Sequence, residues 1–486
     1  MKKKELKFEF MNTIHLEFFQ STGLDPFFDK ISKIEIHDNP FAGGGFGDIY
    51  HCAGFNGKQA GTPQVVKIFK ESTDGRNEHS WKTISKLQQR MIAEVARLKA
   101  NRLDFISEYP ALIGLPQFIF EGRLDGRLVR GYVSTNLVSI NCTSFDKIRE
   151  DNELLNEFFN RDFSDKYIMC YHLARAFRLL MNNNFIHADL SADNIFIHNN
   201  EPLCAIIDFD SGSIVEALED NPSTWGKPQD WLASEVRFQL NKPGDTIQVN
   251  LYTDVWAVAT AIHYILLSMP AYFLKDLSEN SLRYYSSNYI WPVISEKDSI
   301  FLDDATEQYH FYLELTKELP EKIFKEFECT FTKGIFDPTL RTTYFKWELL
   351  FKELIPAEKR KLSWSQIMDD GIIVSGKLPV VPPSPPVTHS TEQLKKFINE
   401  LIKDIVFEGE KFERHKFFVK EMAKKSQVDA DKILLEIEDF IELLQMVNRD
   451  KVITKYEKSS LLNQARLAMI EEKTVNQIIS AYEYID

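Results

Sequence analysis

The run Phe185-Ile186-His187-Ala188-Asp189-Leu190-Ser191-Ala192-Asp193-Asn194, followed by Ile206-Ile207-Asp208-Phe209-Asp210, constrains this chain more than any other feature. Asp189 stands five residues before Asn194, and Asp208 stands 19 residues after Asp189. A helical pattern over Asp165 to Asn183 leads into the first segment through an Asn-rich turn. Any one of the three polar residues alone would be an ordinary cap or turn residue. Held together at this spacing among apolar residues, they are the strongest candidate functional cluster in the chain.

The bulk numbers bound the rest. A length of 486 residues suggests two or three domains. Hydrophobic residues make up 44%, and 37 of the residues are Phe, so a core is easily filled. The net charge of −14 disfavours nucleic-acid binding, which needs clustered Lys and Arg, and otherwise describes a soluble surface. The five cysteines, Cys52, Cys142, Cys170, Cys204 and Cys329, contain no C-x-x-C pair. That usage points to free thiols in a reducing compartment rather than to disulfides or zinc. No apolar stretch reaches the roughly 18 residues that span a bilayer. Met1-Lys2-Lys3-Lys4 is basic, but Glu5, Lys7 and Glu9 break up the next residues with charge, so no signal peptide forms. A cytoplasmic protein without membrane or nucleic-acid partners is the expectation.

Along the chain, residues 1–35 read as an N-terminal extension. A Gly-rich, β-like stretch runs from Ile34 to Phe69. Apolar spacing at Ile84, Leu87, Met91, Val95 and Leu98 predicts a helix over Trp81 to Ala100. Leu115 to Ser134 reads as short strands with turns at Gly122 and Gly126, and Thr253 opens an apolar helix to about Ser268. The aromatic-rich stretch from Pro270 to Thr332 matches no pattern. Leu378 to Val387 is Pro-rich, an extended spacer or a P-x-x-P ligand for an SH3-like partner. Beyond it, Ser390 and Gln393 suggest a capping box, and Leu394, Phe397, Ile398, Leu401, Ile402 and Ile405 keep helical spacing. Further amphipathic pieces begin near Lys416, Asp431, Ser459 and Thr474. Segments 422–441 and 466–485 share a pattern, through duplication or chance.

The first cluster resembles the H-R-D-L-x-x-x-N and D-F-G segments of the protein-kinase superfamily, of the eukaryotic-like type also found in bacteria. Ala42-Gly43-Gly44-Gly45-Phe46-Gly47-Asp48-Ile49 resembles the kinase loop G-x-G-x-x-G-x-V, with Ala42 at the first Gly. Glycines let backbone amides approach phosphates with no Cβ in the way. Lys67, in Val65-Val66-Lys67-Ile68, stands where the family has its phosphate-gripping Lys, and Glu94, in an E-V-x-x-L pattern, where it has the helical Glu that orients that Lys. Trp231 to Glu235 resembles Y-L-A-P-E, and Phe336 to Thr343 the D-P-x-x-R-x-T close of the domain. There the family pairs its Glu with a buried Arg, which implies Glu235 with Arg341.

The resemblance covers residues 40 to 356 and implies an α+β, bilobal kinase-like fold over 36–356. A Pro-rich linker over 357–389 and an all-helical adaptor domain over 390–486 would come after it. It implies an ATP- and Mg²⁺-dependent protein kinase acting on Ser or Thr of a protein substrate. Asp189, Lys67 and Glu94 would be catalytic, and Asn194 and Asp208 the metal ligands. Nucleotide contacts would come from Gly43, Gly44, Gly45, Gly47, Ile49, Val65, Lys67 and Phe196. The helical region would recruit a protein partner. Two alternatives share parts of this pattern: a small-molecule kinase of the aminoglycoside or choline kinase type, and a nucleotide-binding pseudokinase scaffold.

The sequence departs from the family at five further places. Ala188 replaces the Arg of H-R-D, which often receives an activation-loop phosphate. Asp210 replaces the Gly of D-F-G and adds charge near the metals. Ser191 replaces a Lys usual in Ser/Thr kinases, and Ser234 replaces the Pro of A-P-E. The Thr expected before that segment is missing from Lys227-Pro228-Gln229-Asp230.

Overall fold

The computed structural model describes residues 11–24, 28, 30–58, 62–71, 75–215, 222–225, 231–240, 246–356 and 359. In the C-terminal part it describes 391–403, 405–406, 412, 416–426, 428–447, 452–480 and 483–485. The Pro-rich linker, Ser390 and the Lys227–Asp230 run therefore lie outside the described residues. The chain forms two compact units. The first falls within Met1–Asp151, Phe158–Ile294 and Thr316–Ile373, and the second within Asn152–Glu157, Ser295–Leu315 and Val374–Asp486.

The first unit begins with an antiparallel sheet. Its strands are β1 (Met11–Ser21), β2 (Lys33–His37), β3 (Ala42–Gly43), β4 (Gly47–Phe55), β5 (Gln64–Phe69), β6 (Phe118–Leu124) and β7 (Arg127–Thr135). Their order is β2-β1-β6-β7-β5-β4-β3, and a further β2–β4 pairing closes the sheet on itself. Closure removes the open edges that would otherwise offer unpaired N–H and C=O groups. Ile14, Ile34, Ile36, Phe55, Val66, Phe118, Phe120 and Val133 fill the interior with Phe28.

Two expectations are corrected by this sheet. Within the stretch 1–35, residues 11–21 are not an appendage, because β1 lies between β2 and β6 and is needed to close the ring. Its alternation is masked by a bulge between Leu16 and Phe18, which shifts the period of two by one residue. Gly122 is not a turn but an interior position of β6. A Cβ there would lie 2.5 Å from the backbone oxygen of His15, so glycine admits the neighbouring strand. The hairpin turn is Asp125-Gly126, both left-handed (φ 50° and 79°), as a two-residue turn requires.

The helical part of the unit is built on two long segments. Helix Phe163–Asn182 starts at Asp162, whose carboxylate accepts from the Ser164 N–H at 3.0 Å. Helix Thr253–Leu267 is buried along its whole length, so it shows no polar stripe. Helix Tyr344–Leu354, capped by Thr343, packs on Phe163–Asn182 and holds the end of the expected kinase-like region. The unmatched aromatic stretch supplies Trp291, Phe327 and Phe331, whose rings pack around His263.

The second unit is mainly helical. Helix Thr391–Lys403 buries Leu394, Phe397, Ile398, Leu401 and Ile402, as the spacing predicts. Helices Lys416–Lys425, Ala430–Val447, Lys455–Leu467 and Glu472–Ile479 come next, within a few residues of the expected starts. A short parallel strand pair, Val452–Thr454 with Glu483–Ile485, was not anticipated.

Candidate active site

Lys67 lies mid-strand in β5, opposite Ile49 of β4 and Tyr132 of β7. Burial of a strand lysine is costly unless a carboxylate meets it. Two do. Its Nζ pairs with Asp208 and lies 2.8 Å from Asp210 Oδ1. Burial pulls the Lys67 pKa down, but the Asp208 and Asp210 charges outweigh it and hold the ammonium well above its usual value.

Asp208 and Asp210 come after β11 (Cys204–Ile206), which pairs with β10 (Ile195–His198) as a hairpin. Asp208 is left-handed at φ 65°, a conformation Asp tolerates better than most residues. Phe209 is buried against His187 at 5.3 Å between ring centroids and pins the turn. The His187 ring nitrogen Nε2 is 2.9 Å from the Ile207 carbonyl, which can only accept, so Nε2 carries the proton. Burial pulls the His187 pKa down, which keeps the ring neutral.

The segment before Asp189 is held from beneath. Asp254 of helix Thr253–Leu267 accepts the His187 N–H at 2.5 Å and the Ala188 N–H at 2.9 Å. These two bonds offset the strain of a left-handed Ala188, φ 63°. Asn194 is buried, and its Nδ2 donates to the Asp189 carbonyl at 2.7 Å. The Asn194 carbonyl accepts the Ile207 N–H at 3.0 Å, tying it to the residue before Asp208. Asp189, Asn194, Asp208 and Lys67 are thus brought together.

The glycine loop is the β3–β4 hairpin. Gly43, Gly44 and Gly45 are exposed, and the Gly44 N–H donates to the Gly47 carbonyl at 2.9 Å. A Cβ on Gly47 would sit 2.7 Å from the Ile68 carbonyl, so only glycine permits this approach to β5. Lys70 steadies the turn through Asp48 at 2.9 Å and the Gly44 carbonyl at 3.0 Å. Ile49, Val65 and Phe196 are half-buried on β4, β5 and β10.

Glu94 is the exception. Helix α1 (Arg76–Ala100) starts five residues earlier than expected and carries Glu94 close to its far end. Its carboxylate takes Arg97 Nε at 2.7 Å and Nη2 at 2.5 Å instead of Lys67. The Arg97 hydrogen bond is the main reason its pKa is lowered. Polar contact between α1 and the Asp210 turn comes from near its start, where Ser80 Oγ donates to the Asp210 carbonyl at 3.1 Å and His79 Nε2 lies 2.9 Å from the Gly212 carbonyl. Periodicity located the helix correctly but could not say which of its turns faces the site.

Behind the site, Arg341 holds Glu235 through both guanidinium nitrogens, at 2.8 and 2.5 Å, as the resemblance implied. The family model for protein tyrosine and serine/threonine kinase matches residues 36–288, more than half of the chain. The chain belongs to the protein kinase family. A probable serine/threonine-protein kinase PLK of Dictyostelium discoideum is 28% identical to this kinase over 131 residues, 27% of this chain and 12% of that protein. The match thus spans about an eighth of the relative's length. A rhoptry kinase structure from Toxoplasma gondii superposes with a TM-score of 0.41 at 10% identity, covering 71% of this chain and 84% of that one.

Sequence reasoning registered Asp210 only as a departure that adds charge. Ser80 and Tyr132 were missed. The one signal in the sequence was Asp210 itself, a second carboxylate two residues after Asp208.

Proposed function

We infer that this kinase transfers the γ-phosphoryl group of ATP, with Mg²⁺, to a Ser or Thr hydroxyl of a protein. The observation that carries this is the convergence of Lys67, Asp208, Asn194 and Asp189 in one place. Lys67 supplies the positive charge for the α- and β-phosphates. The glycine hairpin offers backbone N–H groups above them, and Ile49, Val65 and Phe196 provide apolar surface for the base. Asp189, oriented through Asn194, accepts the proton of the incoming hydroxyl. Asn194 and Asp208 provide only oxygen donors, which suits a hard cation such as Mg²⁺. When bound, that ion neutralises charge on the phosphates. The named relative supports a Ser/Thr acceptor. The Glu235–Arg341 pair supports a protein substrate over a small molecule, since the resemblance that implied it is to protein kinases. The five free cysteines support a reducing, cytoplasmic setting. Among the described residues, no helix is long and apolar enough to cross a membrane.

Incubation with γ-labelled ATP and a generic protein tests the reading. Label on protein Ser or Thr supports it. Nucleotide binding without transfer would mark a scaffold, and transfer only to small hydroxyl compounds the other kinase class.

Activity is expected to be independent of activation-loop phosphorylation. Ser211, Ser213 and Thr224 are buried, and Thr224 Oγ1 donates to the Ser211 carbonyl at 2.6 Å. The segment is also held by Arg76 over the Trp225 ring at 5.9 Å, and Ala188 offers no guanidinium to a phosphate. Phosphatase-treated enzyme and Ser223→Ala should both stay within about threefold of the untreated enzyme, under about 1 kcal/mol of barrier. A loss above about tenfold in both would refute the idea.

A further inference from the structure

We propose that Asp210, and not Glu94, is the carboxylate that positions Lys67. The inference rests on the reading of Lys67 as the phosphate-gripping residue. Helix α1 carries two carboxylates, Glu78 and Glu94. Glu78 is half-exposed, and its oxygens meet Arg130 at 3.1 Å and Lys82 at 3.3 Å. Glu94 stands fourteen residues beyond Ser80, which with His79 makes the polar contacts of α1 to the Asp210 turn. At about 1.5 Å per residue that is roughly 21 Å along the axis. A slide by one helical turn, about 5.4 Å, leaves it far from Lys67.

Asp210 meets the need from the opposite direction. It is 0% exposed, and its Oδ1 receives Lys67 Nζ at 2.8 Å and the Tyr132 hydroxyl at 3.3 Å. Its main-chain carbonyl takes the Ser80 hydroxyl at 3.1 Å, and the next carbonyl, of Ser211, takes Thr224. The turn is therefore fixed on both sides, and the carboxylate with it. Ser80 is itself fully buried. The second oxygen of Asp210 has no hydrogen-bond partner among the described residues. Burial pushes the Asp210 carboxyl up to about 7, the Lys67 ammonium beside it works against that, and the Asp208 charge adds to it.

The two aspartates on Lys67 then divide the work. The Asp208 side chain is 27% exposed and free to turn to phosphate and metal, whereas that of Asp210 is shut away from both. Lys67 keeps one carboxylate when nucleotide takes the other. Asp210 acts through Lys67 and touches no substrate, so it is a positioning residue. The usual glycine of D-F-G kinases would leave this chain without any.

The test uses the full chain with Asp210→Asn, Asp210→Gly, Glu94→Gln and Lys67→Ala. For each, kcat, the dissociation constant of a fluorescent non-hydrolysable ATP analogue, and the melting temperature are measured. Both Asp210 variants should lose about 10²-fold in kcat, the effect of a misplaced catalytic group, with nucleotide affinity changed less than about tenfold. Glu94→Gln should stay within about threefold of wild type, and Lys67→Ala should be inactive. A lowered melting temperature with unchanged kcat in both Asp210 variants would show a structural role only and overturn the proposal. So would a loss in Glu94→Gln equal to theirs. If Asp210→Asn does not fold, Asp210→Gly decides, since it removes the buried group outright. Full activity in Lys67→Ala would instead overturn the phosphate reading of Lys67, a separate result.

Discussion

Asp208→Asn is expected to abolish phosphoryl transfer while the protein stays folded. The substitution is isosteric, and asparagine accepts the left-handed φ of 65° as readily as aspartate does. The buried ammonium of Lys67 is not stranded, because Asp210 remains 2.8 Å away. Only a negative charge is lost, at the place where the proposed metal needs one. A neutral amide in that position should cost about 10³-fold or more in kcat, about 4 kcal/mol. A labelled-ATP assay beside a thermal melt checks both halves. Activity within about threefold of wild type would remove Asp208 from the metal site. A collapsed melt would mean that its pairing with Lys67 is chiefly structural.

The largest effect on stability is expected at Arg341. Its side chain is 0% exposed and all three guanidinium nitrogens are hydrogen-bonded. Besides Glu235, Nε donates to the Gly334 carbonyl at 2.8 Å and Nη1 to the Tyr252 carbonyl at 3.1 Å, and the group lies over the Trp256 ring at 5.2 Å. Arg341→Ala leaves a carboxylate and two carbonyls without their donor, and opens a cavity beside Trp256. Removing one member of such a buried pair typically costs about 3–5 kcal/mol, which corresponds to a melting-temperature drop of roughly 10 °C. Arg341→Lys should recover little, because an ammonium cannot bond two carboxylate oxygens in parallel. Chemical denaturation reads the change directly, and a loss below about 1 kcal/mol would show that the pair is dispensable. The pair is far from the phosphates in role, so any folded fraction should keep its nucleotide affinity.

Short-range spacing explains most of what was legible. Asp189 and Asn194 share one tight segment, and Asp208 comes just after the strand paired with the one that Asn194 leads into. The β10–β11 hairpin therefore sets their separation almost without help from the rest of the fold. The glycine hairpin and Lys67 are likewise one strand apart. Glu94 shows the limit. An E-V-x-x-L pattern states which face of a helix is apolar, and says nothing about how far the helix has slid along the sheet it covers. That offset is decided by packing, and here it places Ser80 at the site and Glu94 on Arg97.

Local spacing and strong chemical types made the cluster and the helices with clear periodicity legible, whereas the Glu235–Arg341 pair, 106 residues apart, came from the resemblance to protein kinases. Only the tertiary structure decided that residues 11–21 close the sheet, that Gly122 is a point of strand contact, and that Asp210 turns inward to Lys67. Those facts depend on which surfaces meet. A bulge hides a strand's alternation, and a missing Cβ has meaning only beside the atom it avoids. Likewise, a second carboxylate beside Asp208 declares its partner only when the ammonium from another strand is brought to it.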